Sequence, residues 1–257
     1  MMTEGLVANG ATVVIASRDG EKNAATAERL NAGAAAHGGH VYALGADLAS
    51  YQGCDTLVSE VAALVGGKLH GLINNSGRSW GAEIDEYSIE RFDQTVQLNL
   101  NVPFYLTQQC LPMLEAAQTE GNPSSVINIG SIDGMRTPGT GSNTYAYSSS
   151  KMGLIALTRH LGKDLAPRNL TVNLIAPGPF YTKLLALNNP DAYKNFGTGH
   201  PAEAAFKRGV SASNPSGRLG EGYDAAGAAI FLLSKAGSYV NGATINLDGG
   251  SWLGSKL

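Results

Sequence analysis

Tyr147 and Lys151 stand four residues apart in Tyr145-Ala146-Tyr147-Ser148-Ser149-Ser150-Lys151-Met152-Gly153, and Ser131 lies shortly upstream. On a helix this spacing puts both side chains on one face, one turn apart. A free phenol has a pKa of about 10 and is a poor base near neutral pH. An ammonium one turn away favours the phenolate and is expected to lower that pKa. A phenol so tuned gives a proton to a carbonyl oxygen or takes one from an alcohol. Ser131 follows the apolar run Ser125-Val126-Ile127-Asn128-Ile129-Gly130 and can hydrogen-bond the same oxygen. Tyr145 is a rival, but only Tyr147 has a lysine four residues on. A lone Tyr-x-x-x-Lys is also what a surface helix pair looks like, so the weight rests on its surroundings.

Those surroundings alternate strand and helix. Residues 3–10 read as the last turns of a helix ending at Gly10, and 11–16 as a β-branched, fully apolar strand of the parallel-sheet type. Then come helix 20–37, strand 40–46, helix 51–65, strand 71–75, helix 88–117 and strand 125–130. Helix 145–166, strand 171–175, helix 222–234 and strand 243–247 complete the pattern. Such alternation implies right-handed crossovers and an α/β, doubly wound parallel sheet. Residues 179–216, with Pro179, Pro190, Pro201 and Pro215, are too long for a plain connection and read as an irregular lid over the site.

A chain of 257 residues suits one domain, here 1–257. With 43% hydrophobic residues, 15% charged and a net charge of −3, nothing suggests nucleic acid as a partner. No apolar stretch reaches membrane-spanning length, and the start is not a signal peptide. A cytoplasmic protein is expected. Cys54, Cys110 and the five histidines have no metal spacing, so no metal is expected.

The set Asn74-Asn75-Ser76-Gly77, Asn99, Ser131, Tyr147, Lys151 and Pro177-Gly178 resembles the short-chain dehydrogenase/reductase family, nearly along the whole chain. The resemblance implies a Rossmann-type fold and a hydride transfer between a nicotinamide cofactor and a small carbonyl or alcohol. It makes Tyr147 the acid, Ser131 the group that polarises the oxygen and Lys151 the group that tunes Tyr147. Asn99 would serve a proton relay: Pro103 has no N–H, so the Asn99 carbonyl loses its helical partner and can hold a water. Asn101 is the alternative bearer. Family members open with a strand and a turn Thr-Gly-x-x-x-Gly-x-Gly that presents backbone N–H groups to the pyrophosphate. No such turn precedes Gly10, so a truncated or mis-started chain lacking a central first strand is expected. The Ser131–Tyr147 spacing exceeds the family's usual one, which implies an insertion between Asp133 and Asn143.

The remaining cofactor candidates follow from the same alignment of motifs. Ser17-Arg18 stands where an acidic residue would select NAD; guanidinium donors suit a 2′-phosphate, so the cofactor is read as NADP(H). The plain alternative is a surface arginine. Asp47-Leu48 would frame the adenine, unless Asp47 is only a helix cap. Asn74 would hold its strand and touch the ribose. Pro177, Gly178, Phe180 and Thr182 match Pro-Gly-x-x-x-Thr and would grip the nicotinamide carboxamide. Trp80 reads as pocket lining or rim packing. The pattern looks like 3-oxoacyl-carrier-protein reductases of the rhamnolipid-biosynthesis type, which implies a 3-oxoacyl or polyketide-like ketone. Helices 88–117 and 145–166 form the usual family interface, which implies a dimer or homotetramer. The rivals are a non-catalytic, truncated relative that cannot hold the dinucleotide, and a nucleotide-sugar epimerase, which usually has a longer C-terminal region.

Overall fold

The computed structural model describes residues 1–34, 37–136, 143–186 and 189–254. Helix α1 (Met2–Ala8) leads into β1 (Thr12–Ser17), α2 (Gly20–Ala34), β2 (His40–Gly45), α3 (Tyr51–Leu64) and β3 (Gly71–Asn74). Helices α4 (Ile89–Val96) and α5 (Val102–Ala117) then precede β4 (Ser124–Ile129), α6 (Tyr145–Leu165) and β5 (Leu170–Pro177). The chain closes with α7 (Lys183–Ala186), α8 (Pro190–Lys194), α9 (Pro201–Ser213), α10 (Gly222–Leu233) and β6 (Thr244–Leu247). At the end of α1, Gly10 adopts φ 84°, the left-handed conformation that lets the chain reverse; its N–H returns to the Val7 carbonyl at 3.0 Å.

All strand pairs are parallel, in the order β3-β4-β5-β6 and, separately, β1-β2. Among the described residues β1 and β3 are not paired. Ala16 of β1 and Leu72 of β3 nevertheless pack against one core cluster, with Cys54, Leu57 and Val102. The apolar residues of β1, read from sequence as a fully apolar strand of the parallel-sheet type, are half-buried, and one flank of the strand lacks a neighbour in the sheet among the described residues.

The deepest layer is β4 and β5, buried on both faces as near-continuous apolar runs predict. Val126 and Val172 pack with Met113 and Leu114 of α5 on one face; Ile127 and Ile175 pack with Ala229 and Leu232 of α10 on the other. Helix α6 buries Tyr147, Lys151, Leu154, Thr158, Gly162 and Leu165, a stripe at helical spacing. The stripe that packs the helix on the sheet therefore also turns Tyr147 and Lys151 inward.

Two expectations need correction. Residues 179–216 are not irregular: α7, α8 and α9 occupy most of the segment, with 187–188 outside the described residues. Pro190 and Pro201 sit at helix starts, where a missing N–H costs nothing, and Asn189 and His200 cap them through their side chains. The stretch 88–117 is not one α-helix: a π-helical turn, Gln97–Asn101, separates α4 from α5. The glycine- and threonine-rich insertion expected before Asn143 falls largely on 137–142, outside the described residues.

Candidate active site

Strand β4 delivers Ser131 to the site. Its backbone stays extended, and its Oγ accepts the Asp133 N–H at 3.1 Å, starting the 3-10 turn Ile132–Gly134. This turn lies tight on α6. A Cβ at Gly134 would come within 2.8 Å of the Lys151 carbonyl carbon, so glycine sets the separation between turn and helix.

Tyr147 is 9% exposed and Lys151 4%. The Lys151 ammonium lies 5.7 Å from the centre of the Tyr147 ring and donates to the Ile129 carbonyl at 2.7 Å. Burial pushes the Tyr147 phenol up to about 12; its hydrogen bond to Ser131 pulls the other way, and the nearby Asp133 charge raises it further. Burial also brings Lys151 down to about 8. The sequence-based expectation of an acidified phenol is therefore corrected: burial outweighs the lowering by the Ser131 hydrogen bond, and Tyr147 keeps its proton at neutral pH.

Asn99 is fully buried in the π turn. Its Oδ1 accepts the Arg78 N–H at 2.9 Å, and its Nδ2 donates to the Arg78 carbonyl at 3.0 Å and to Ser150 Oγ at 3.1 Å. The expected proline kink is instead a one-residue bulge, in which the Val102 N–H returns to the Gln97 carbonyl. Asn101, the alternative, donates to Gln97 Oε1 at 2.7 Å and is taken up there. Tyr145, the rival tyrosine, is 41% exposed and stacks edge-on against Tyr87. Trp80 joins that cluster beneath the Arg91 guanidinium, a packing role.

Beside Ser131 opens a cavity of about 260 Å³, walled by Asp133, Arg136, Pro177, Pro179, Ser213 and Ser251. Arg136 crosses one side, donating to the Ser251 carbonyl at 3.0 Å. In the segment after β5, Tyr181 stacks on Phe196 at 4.6 Å, and the Lys207 ammonium sits 4.0 Å over the Tyr181 ring. The buried Glu203 carboxylate accepts from Lys207 at 2.6 Å and from the Gly199 N–H at 3.0 Å.

The sequence profile of a family described as enoyl-(acyl carrier protein) reductase matches residues 1–251. The rhamnolipids biosynthesis 3-oxoacyl-(acyl-carrier-protein) reductase of Pseudomonas aeruginosa is 37% identical over 252 residues, 97% of this chain and 90% of that protein. The structure of the P. aeruginosa RhlG/NADP active-site complex superposes with a TM-score of 0.84 at 36% identity, over 98% of this chain and 90% of that one. A short-chain type dehydrogenase/reductase from Mycobacterium ulcerans gives 0.80 at 30% identity, over 99% and 86%. The chain belongs to the short-chain dehydrogenase/reductase family. It is accordingly an oxidoreductase.

The other candidate positions of this short-chain dehydrogenase/reductase lie along the C-terminal ends of the strands. Ser17 closes β1 and donates to Asn23 Oδ1 at 2.9 Å, while Arg18 beside it is exposed. Asp47 is exposed and accepts the Ala49 N–H; the α3 cap is Ser50, so the plain capping reading of Asp47 is corrected. Leu48 faces the core. Asn74 is buried and donates to Asn128 Oδ1 at 2.8 Å. A Cβ at Gly178 would stand 2.5 Å from the Asp248 Cβ, and Phe180 packs on Gly220. Thr182 Oγ1 accepts the Leu185 N–H at 3.2 Å. Sequence reasoning missed Arg78 and Ser150, which grip Asn99, and Tyr87, which touches the start of α6. Among the described residues no cluster of His, Cys, Asp and Glu is placed to hold a metal ion. None of the described helices is long and apolar enough to cross a membrane.

Proposed function

We propose that this protein is an NADP(H)-dependent ketone reductase acting on a 3-oxoacyl or polyketide-like carbonyl, as a cytoplasmic dimer or homotetramer. The observation that carries the reading is the grouping of Ser131, Tyr147 and Lys151: Tyr147 hydrogen-bonds Ser131, and the Lys151 ammonium lies 5.7 Å from the centre of the Tyr147 ring. The rhamnolipid-biosynthesis relative and the RhlG/NADP complex support the substrate class and the cofactor.

The residues fit a nicotinamide dinucleotide. Asn74 Oδ1 is buried without a hydrogen-bond partner among the described residues. The Lys151 ammonium has three donors and one acceptor in hand, Ile129. A Cβ at Gly77 would stand 3.6 Å from Lys151 Nζ, so glycine leaves the ammonium approachable. Such donors and acceptors suit ribose hydroxyls. Arg18 offers donors for a 2′-phosphate, with Ser17 beside it; Asp47 and the Leu48 backbone frame an adenine. Pro177, Gly178, Phe180 and Thr182 line the carboxamide end. The cofactor, when bound, supplies the hydride.

The chain's own residues manage the proton. Ser131 hydrogen-bonds the carbonyl oxygen and polarises it. Tyr147, protonated at neutral pH, donates its phenolic proton to that oxygen as the alcohol forms. The Lys151 ammonium stabilises the phenolate left behind and returns a proton to it. Pro103 cannot bond the Asn99 carbonyl, so this carbonyl can hold a water that resupplies Lys151.

The test is NADPH oxidation with a 3-oxoacyl thioester. Tyr147→Phe should lower kcat by about 10²–10⁴-fold with NADPH still bound. Undiminished reduction by that variant overturns the assignment. The second reading, a family member that does not hold a dinucleotide, draws on the unpaired flanks of β1 and β3. Saturable, blue-shifted NADPH fluorescence supports the enzyme; absence of binding supports the second reading.

A further inference from the structure

We infer that Tyr87 is a positioning residue for Tyr147, acting as a surrogate cap on the first turn of α6. This rests on the reading of Tyr147 as proton donor.

Helix α6 starts at Tyr145, and Thr144 at the cap position contributes no side-chain hydrogen bond among the described residues. The first N–H groups of any helix lack an internal acceptor. Here the Ala146 N–H donates to the Tyr87 phenolic oxygen at 3.3 Å, and the Tyr87 O–H donates to the Trp80 carbonyl at 3.1 Å. One oxygen thus joins the loop after β3 to the turn that carries Tyr147, the third residue of the helix. The ring is fixed by edge-on contacts with Trp80 at 4.5 Å and Tyr145 at 5.2 Å. Arg91 closes the stack over Trp80 at 5.0 Å.

Asn99 holds the same loop to the next turn of α6, through Arg78 and Ser150. Lys151 lies in that second turn, anchored to Ile129. Tyr147 lies in the terminal turn, where an uncapped helix opens first. Loosening there moves the phenol away from Ser131 while leaving Lys151 in place. Tyr87 therefore governs the reach of the proton donor and not the binding of cofactor.

Tyr87→Phe keeps the ring and its stacking and removes only the oxygen. Loss of a capping acceptor corresponds to about a tenfold change, so kcat should fall about tenfold. The KM for the ketone should stay within about twofold, and NADPH should still bind at one per chain. Thr144→Asn in the same background places a neutral acceptor at the cap and should restore most of kcat. A kcat within about twofold of the parent overturns the inference, as does a loss matched by lost NADPH stoichiometry or a deficit the double variant does not recover. An undiminished Tyr147→Phe removes the reading beneath it; an inert Tyr147→Phe beside a normal Tyr87→Phe sinks the inference alone.

Discussion

Lys151 donates to the carbonyl of Ile129 at 2.7 Å, and this is the one hydrogen bond its ammonium makes among the described residues. A buried cation with a single neutral partner is costly. Its pKa is depressed to about 8 by burial, so between pH 8 and its unfolded value near 10.5 the unfolded chain binds the extra proton. Folding stability from this group therefore rises with pH across that window, and the cost stands in full below it. Tyr147, raised to about 12, acts oppositely: stability is lost as pH climbs from about 10 to 12. Lys151→Met should be inactive yet up to about 3 kcal/mol more stable at pH 7, with a flattened pH dependence from 8 to 10. Thermal melts at stepped pH decide this, and an unchanged slope in the variant contradicts it.

Asn128 is the hinge of a buried polar chain. Its Oδ1 accepts from Asn74 at 2.8 Å, its Nδ2 donates to Thr158 Oγ1 at 2.9 Å, and Thr158 donates to the Leu154 carbonyl at 2.7 Å. The chain locks β3, β4 and α6 together beneath the site. Asn128→Ala removes one buried partner from Asn74 and one from Thr158, each of which keeps another, and should cost about 2 kcal/mol, read as a lower denaturant midpoint at unchanged slope. A loss below about 1 kcal/mol would show that these groups find other partners.

Arg18 is exposed at the end of β1. If its guanidinium meets a 2′-phosphate, Arg18→Glu should weaken NADPH about ten- to hundredfold and leave NADH nearly untouched. Fluorescence titration with the two cofactors measures the ratio. Equal weakening of both would assign Arg18 to the plain surface role.

The Lys207 ammonium is shared between the Glu203 carboxylate and the Tyr181 ring, one residue before Thr182. Lys207→Met should loosen α9 over the cavity, raising the ketone KM about two- to fivefold with NADPH affinity preserved. Lys207 and the Gly199 N–H also hold Glu203 below the usual carboxylate range. The stability this latch adds is present in full above that range and is lost as the pH falls from it through the lowered Glu203 value.

The sheet and most helices were legible because their apolar residues repeat at strand or helix spacing, α6 above all. Tyr147 and Lys151 were legible because chemistry and packing share one stripe of that helix. Helices α8 and α9 were not, since Pro190 and Pro201 read as breakers although each opens a helix behind a capping side chain. Burial reversed the expected pKa of Tyr147, and burial depth is a tertiary property that four-residue spacing does not carry. Tyr87 left no signal at all, because its partner at Ala146 is 59 positions away and is a backbone group.

The π turn at Gln97–Asn101 has a consequence for engineering by deletion. One surplus residue rotates everything beyond it by about 100° relative to a regular helix. Removing a residue there would draw α4 and α5 toward one regular helix and place Pro103, which has no N–H to give, in its interior. The same edit would swing the Asn99 amide out of its grip on Arg78 and Ser150. Smoothing this helix would thus strain it at Pro103 and dismantle what the irregularity holds in place.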